Sequence, residues 1–483
     1  MFFSQLAQSC QSFVTVWLIG KNGNKLTMAA FGLAGVVVGV TGHSLVWGVG
    51  AGLDTLVAQA FGAREYRAIG LYNQRALLIL TFLVNLPVVA IWLNATPILL
   101  AMRQDPAVAD QVAVYARLRI PGLFCQAVIC CISKSLQAMG KTRWLLVCNI
   151  LSIFLSIGLA WLLIDKASPV ALDPIVGSGL MSTTVDTAGM GLLIVIAACD
   201  GECRRCWPGW SRECLAGWGS YLALAGPALI MGVCEWWSWD IVSFLAGLCP
   251  DPQKNLATNA LLGQVISLAY CVPVGLQAGV QTLVGNALGA QSPSGGRTGA
   301  HVGGLLAVSA MVIQCVLLYE FRSEWAHLFR AEPQVGAQVA ALLKWTVFFC
   351  AGDGIQIVLS GVITGAGKQA VTIPVLGVSY WVLGLPLGAV AAFVYPKNGL
   401  LGLWWGMLLA VWLHVCAYVL ICFMYPCIPY AIDWPRAAER AAERLAEGPR
   451  EHHGAPPLPP VAPGAEPCAS AAETLPSINA SRA

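Results

Sequence analysis

Windows of about 20 apolar residues recur along most of this chain, and they restrict its fold more than any other feature. Backbone surrounded by hydrocarbon must satisfy its own N–H and C=O groups, so it crosses a bilayer only as helices or as a closed barrel. Continuous windows of this length read as helices. Their limits are 2–19, 27–53, 74–94, 113–138, 143–164, 175–198, 218–247, 256–280, 301–320, 338–364, 371–394 and 399–425. Only 11% of the residues are charged and 57% are hydrophobic, against about a quarter charged in soluble domains. The expected fold class is therefore an all-α polytopic membrane protein with about twelve transmembrane helices. The first window lacks the basic leader of a cleaved signal and carries Gln5, Gln8, Ser12 and Thr15, so it also reads as a span.

An internal repeat organises these spans. Gly52-Leu53-Asp54-Thr55-Leu56-Val57-Ala58-Gln59-Ala60-Phe61-Gly62-Ala63 aligns with Gly279-Val280-Gln281-Thr282-Leu283-Val284-Gly285-Asn286-Ala287-Leu288-Gly289-Ala290 at an offset of 227 residues, with seven of twelve positions identical. The same offset pairs Arg103-Gln104-Asp105-Pro106 with Arg330-Ala331-Glu332-Pro333, and Met139-Gly140-Lys141 with Ala366-Gly367-Lys368. Six spans per half return the chain to its starting side. The halves are thus expected to be parallel six-helix lobes related by a pseudo-two-fold axis along the membrane normal, with a ligand site near the midplane. The predicted organisation is an N-terminal lobe at 1–198, a linker at 199–217, a C-terminal lobe at 218–430 and a tail at 431–483. A short Arg/Glu-rich helix candidate at 435–447 opens the tail, and the Pro/Ala-rich remainder is expected to be disordered.

The chemistry concentrates in Cys234-Glu235-Trp236-Trp237-Ser238-Trp239-Asp240, which places two carboxylates and three indoles inside an apolar window. An acid in mid-span costs roughly 2.5 to 3.5 kcal/mol on insertion scales, so it normally faces a cavity or a partner. Helical spacing puts Glu235, Trp236, Trp239 and Asp240 within one arc of about 140°. A carboxylate framed by aromatic faces suits a cation, which uses both the charge and the ring quadrupoles; packing or interface-belt indoles are the plainer alternative. Asp353, Gln356, Ser360 and Thr364 lie along one face of a second helix. Asn259, Gly263, Ser267 and Tyr270 form a comparable stripe on a third, and ordinary helix packing is the competing explanation for the small residues. Asp54 reads as a structural or gate residue, and Gly32, Gly35, Gly39 and Gly42 as sites of close helix contact.

Together, Ala225-Gly226-Pro227 with Glu235-Trp236-Trp237, the Gly285-to-Ala290 segment, the Arg103-to-Pro106 loop, and Asp353-Gly354-Ile355-Gln356 with Leu359-Ser360-Gly361-Val362 resemble the multidrug and toxin extrusion (MATE) family. The resemblance is closest to its animal members and covers about residues 1–430. It implies the family's twelve-helix, two-lobe fold and antiport of organic cations and other drug-like compounds against a proton or sodium gradient. In the eukaryotic branch it implies protons. It also places Glu235 and Asp353 at the C-lobe acids that bind proton or substrate, and Asp240 at an additional acid of animal members. With Trp236, Tyr270 and Gln356 these form the expected proton and substrate site. The repeat offset maps Glu235 onto Gln8 and Asp353 onto Gln126. An amide cannot exchange a proton near neutral pH, so the N-lobe cavity is expected to be a passive wall and coupling to reside in the C-lobe.

No cofactor is expected, a proton gradient being the energy source. The expected partners are small organic cations and membrane lipids, with the chain a monomer in the plasma membrane. A net charge of +3 without a basic tract interleaved with aromatics excludes a nucleic-acid role. His43, His301, His327 and His414 are scattered, Cys199, Cys203 and Cys206 have no histidine nearby, and there is no P-loop, so neither a metal site nor an enzyme is expected. A lipid-linked saccharide flippase of the same superfamily is the alternative; it needs a basic cavity, which the acids oppose. The repeat partner of Gly226-Pro227 would fall just ahead of Met1, so the first helix is expected to be shortened, and a truncated, inactive isoform is a further alternative. Lys and Arg favour the even-numbered loops and the tail, which predicts that both termini are cytosolic. Cysteine labelling near Arg64, Arg204, Arg297 and the tail should report one common side; opposite sides for Arg64 and Arg297 would remove the parallel repeat.

Overall fold

The computed structural model describes residues 18–19, 21, 25–165, 167–207, 209–328, 333–395 and 398–446. Among them are eleven helices long and apolar enough to span a membrane: α1 (Leu26–Gly62), α2 (Tyr66–Leu93), α3 (Pro106–Ala138), α4 (Thr142–Ile164), α5 (Pro174–Cys199), α6 (Trp218–Ala246), α7 (Pro252–Gly289), α8 (Pro293–Glu320), α9 (Gln334–Gly365), α10 (Gln369–Phe393) and α11 (Gly399–Phe423). No strand occurs among the described residues. The window expected at 2–19 lies outside them except for Leu18 and Ile19. Several helices run beyond the apolar windows; α1 continues to Gly62 rather than ending near 53, and α7 to Gly289 rather than 280. Hydropathy ends early there because these last turns face the other lobe, not lipid.

Short sequence signals set the helix ends. Asp105 and Asp173 each precede a proline at the first helical position and accept backbone N–H groups, from Ala107 and Val108 at 2.9 and 3.2 Å and from Ile175 at 2.9 Å. Asp165, in a segment without an evident role in the sequence, closes α4 by accepting Lys21 Nζ at 3.0 Å and the Ala167 amide at 3.0 Å. The backbone repeats at the 227-residue offset as faithfully as the sequence does. Gly140 and Gly367 both end their helices at positive φ, 71° and 68°, the conformation glycine adopts without steric cost. Arg64 and Gln291, also one offset apart, both follow theirs at positive φ, 62° and 56°.

Helices α1–α5 surround one set of apolar cores and α6–α11 another. The first turns of α6 still pack on the N-terminal lobe, where Tyr221 donates its hydroxyl to Val49 O at 2.8 Å. The lobes meet where α1 and α7 cross, through the repeated segments themselves. A Cβ on Gly62 would strike the Asn286 backbone, and one on Gly289 the Gln59 backbone. A Cβ on Gly285 would come within 2.6 Å of that of Ala58. Gln59 Nε2 donates to Gly365 O at 3.1 Å, and Asn286 Nδ2 to Ala138 O at 3.2 Å. The contacts form offset pairs, and Gly285 with Ala58 is its own image, as a pseudo-two-fold axis through the crossing requires. Of the four glycines expected at close contacts on α1, only Gly42 meets a described neighbour, Trp92.

Beyond α11 an amphipathic helix, α12 (Trp434–Ala446), buries Trp434, Ala437, Ala438 and Ala441 against α7 and α8. Residues 447–483 lie outside the described set. Because a methyl group at the crossing must push two backbones apart, Gly62→Ala and Gly289→Ala should each cost about 1–3 kcal/mol. Thermal unfolding in detergent should show both losses, and Gly263→Ala, where the added Cβ meets nothing within 4 Å, should show none.

Candidate functional site

The two mid-span acids of the C-terminal lobe come from different helices, Glu235 from α6 and Asp353 from α9, and one amide joins them. Gln356, one turn after Asp353, uses its two N–H groups to reach Glu235 Oε1 at 2.9 Å and Asp353 Oδ1 at 3.2 Å. Asp353 and Gln356 are buried and Glu235 is half-buried. Among the described residues, no basic side chain forms an ion pair with either acid. Tyr270, Tyr380 and Tyr418 lie within electrostatic range of Glu235, with Tyr270 at the join between the two helical segments of α7. His414 is fully buried between the rings of Tyr380 and Tyr418 at 5.7 and 4.1 Å, so α11 joins this wall. Two carboxylates sharing one amide and no cation leave a site short of positive charge, which a proton or a cationic ligand supplies.

The arc drawn around Glu235 divides in the structure. Trp239 turns into the lobe core, edge-on to Phe349 at 5.1 Å and Trp404 at 5.8 Å. Trp236 remains 44% exposed, and Asp240 is exposed without a hydrogen bond or ion pair among the described residues. The lower part of the α9 face serves helix contact: Ser360 accepts from Gln277 of α7 at 2.8 Å, and Thr364 O accepts from Thr55 at 2.6 Å.

In the N-terminal lobe, Gln8 lies outside the described residues. Gln126 occupies a charged network that the sequence reading passed over. Its Nε2 donates to Asp186 Oδ1 at 2.8 Å, its Oε1 accepts from Trp47 Nε1 at 3.3 Å, and Asp186 pairs with Arg119 at 2.6 Å. The pair crosses directly over Gly122, where a Cβ would meet both charged groups at 2.9 Å. The signal was available, since Arg119 and Asp186 are opposite charges inside the windows 113–138 and 175–198. Asp54 is likewise paired, with Lys134 at 2.6 Å. Asp54 and Asp186 of this lobe are therefore each matched by a cation, whereas among the described residues Glu235 and Asp353 of the other lobe are matched by none.

Comparison with known proteins bears on this arrangement. A family model described as MatE matches residues 1–162 and 227–390. Multidrug and toxin extrusion protein 2 of Oryctolagus cuniculus is 33% identical over 427 residues, spanning 86% of this chain and 67% of its own length. Protein DETOXIFICATION 16 of Arabidopsis thaliana is 28% identical over 440 residues, 91% of this chain and 88% of its own. In fold, the chain is similar to the crystal structure of the eukaryotic MATE transporter AtDTX14, with a TM-score of 0.83 at 24% identity over 92% of this chain and 96% of that one.

Removing one member of the Arg119–Asp186 pair strands a charge in an apolar surrounding. Arg119→Met and Asp186→Leu should each cost about 3–5 kcal/mol, and the double substitution distinctly less than either. A double-mutant cycle on thermal unfolding measures this; additive losses would show that the pair is not coupled.

Proposed function

The chain belongs to the MatE family, whose members are transporters, and on that premise we propose that it is a secondary antiporter exporting organic cations and other drug-like compounds in exchange for protons. The observation that carries this reading is the bridge from Gln356 to both Glu235 and Asp353, with no basic partner among the described residues. Such a site accepts a proton or a cation but not both at full strength, because each neutralises the same carboxylates. Loading protons from one side expels the cation; losing them to the other side restores affinity. That competition couples the two fluxes once the lobes alternate access about the crossing of α1 and α7. Exposed Trp236 adds an aromatic face for the cation, and Tyr270 supplies a hydroxyl beside the acids. Asp240 stands one turn from Trp236, where it attracts cations toward the site.

The N-terminal lobe serves as the fixed wall. Its amide at Gln126 is held by Asp186, and Arg119 already neutralises that carboxylate, so this network does not exchange protons with the transport cycle. No cofactor is needed, since the gradient supplies the energy. The protein is a multi-pass membrane protein; we place it in the plasma membrane as a monomer with both termini cytosolic. A saccharide flippase is disfavoured because a pyrophosphate-bearing lipid would meet uncompensated carboxylates.

In proteoliposomes with an imposed pH gradient, Glu235→Gln and Asp353→Asn should each reduce uptake of a fluorescent organic cation to background. Gln126→Ala should mainly change its apparent affinity. Lowering the pH on the side where the cation binds should inhibit, since protons and cation compete for the same oxygens. Gradient-driven exchange that survives both carboxylate substitutions would end this assignment.

A further inference from the structure

A cavity lies far in sequence from the acid pair, at the end of the N-terminal lobe where the inter-lobe linker sits. It has a volume of about 700 Å³, within the range that holds a small amphipathic molecule. Ile69 and Leu77 of α2, Ile132 of α3 and Ile194 of α5 line it. Ile194 on this wall is 45% exposed. The cavity's polar spot is self-satisfied: Asn73 and Ser135 hydrogen-bond to each other at 2.8 Å. The interior therefore asks for hydrocarbon.

Its mouth has the opposite character. The linker opens with a short helix, Gly201–Cys206, whose capping Asp200 and internal Glu202 are already engaged. Lys141 Nζ reaches Asp200 Oδ1 at 2.5 Å and Glu202 Oε2 at 2.8 Å. Asp200, which lies outside the spans, is held down to about 2, chiefly by that hydrogen bond from Lys141. It thus stays ionised and fully matched. Arg204 at the cavity rim and Arg205 beside it are exposed and have no carboxylate partner among the described residues. Trp207 and Trp210 also line the rim, packed edge-on at 5.5 Å, and indoles of this kind sit at the level of lipid headgroups.

We propose that this cavity is a binding site for an anionic phospholipid, which inserts one acyl chain between α2, α3 and α5 and places its phosphate-bearing headgroup against Arg204 and Arg205. Unpaired arginines at a bilayer surface favour anionic lipid. The same two charges repel organic cations, so the cavity is distinct from the transport site. The bound lipid would tie the inter-lobe linker to the N-terminal lobe, because the headgroup and the chain contact different parts of the protein.

The test uses the full chain in detergent, offered equimolar phosphatidylserine and phosphatidylcholine and examined by native mass spectrometry. One tightly retained phosphatidylserine per chain is expected. R204Q/R205Q should lose that headgroup preference, by roughly fivefold per arginine, while still retaining lipid. Arg204→Lys with Arg205→Lys should keep it. Ala198→Trp, which fills the cavity, should lose both lipids; if that variant does not fold, the arginine variants still decide. O-phosphoserine, a headgroup without chains, should not displace the lipid. Equal retention of both lipids by the unaltered protein, an unchanged preference in R204Q/R205Q, or displacement by O-phosphoserine would overturn the proposal.

Discussion

Everything in this molecule hangs on one close approach, the crossing of α1 and α7 at which backbone meets backbone. Gly62 lies on Asn286, Gly289 lies on Gln59, and Gly285 faces Ala58 with no room for a second methyl group. Small residues allow two helices to come this near, and the proximity brings the amides of Gln59 and Asn286 onto carbonyls of the opposite lobe. The contact is made by the two most similar stretches of the repeat. A residue near such an axis faces its own counterpart, so the two repeats must satisfy a common packing condition. That explains why identity is concentrated in this segment while the lobes diverge elsewhere.

The divergence is electrostatic. Gln126 of one lobe and Asp353 of the other are offset counterparts, as are His43 and Tyr270. In the N-terminal lobe the amide sits beside an acid already paired with Arg119. In the C-terminal lobe the acid itself occupies the position, a second acid reaches it through Gln356, and among the described residues no arginine pairs with either. A paired charge in an apolar surrounding is a strut, because either partner alone is costly. An unpaired acid pair is reactive toward anything positive. One scaffold thus carries a fixed side and a responsive side.

Helix α12 adds a third tie at the same end of the protein. Arg444 donates to Gln59 Oε1 at 3.0 Å and to Gly367 O at 3.3 Å, while its own carbonyl accepts from Tyr72 at 3.1 Å. A single residue of the C-terminal helix therefore touches both lobes beside the crossing. Lys368 reaches Ala431 O at 2.6 Å and joins the same tie, so this repeated lysine has a different task from Lys141, which binds the acids of the linker.

Much of this was legible in the residues alone. Apolar windows dictated helices because hydrocarbon leaves the backbone no other partner. The offset dictated parallel lobes. The two acids stood out as charges without a reason to be in mid-span. What the residues did not disclose is which helix faces which. Periodicity gives the angle of a side chain around its own helix, but not the neighbour that occupies that angle. Hence Trp239 was grouped with Glu235 although it packs on Phe349 and Trp404. Arg119 and Asp186, 67 residues apart, went unpaired until α3 and α5 were seen side by side. Only the tertiary structure decides such partners, because they are chosen by the packing of whole helices and not by any local run of sequence.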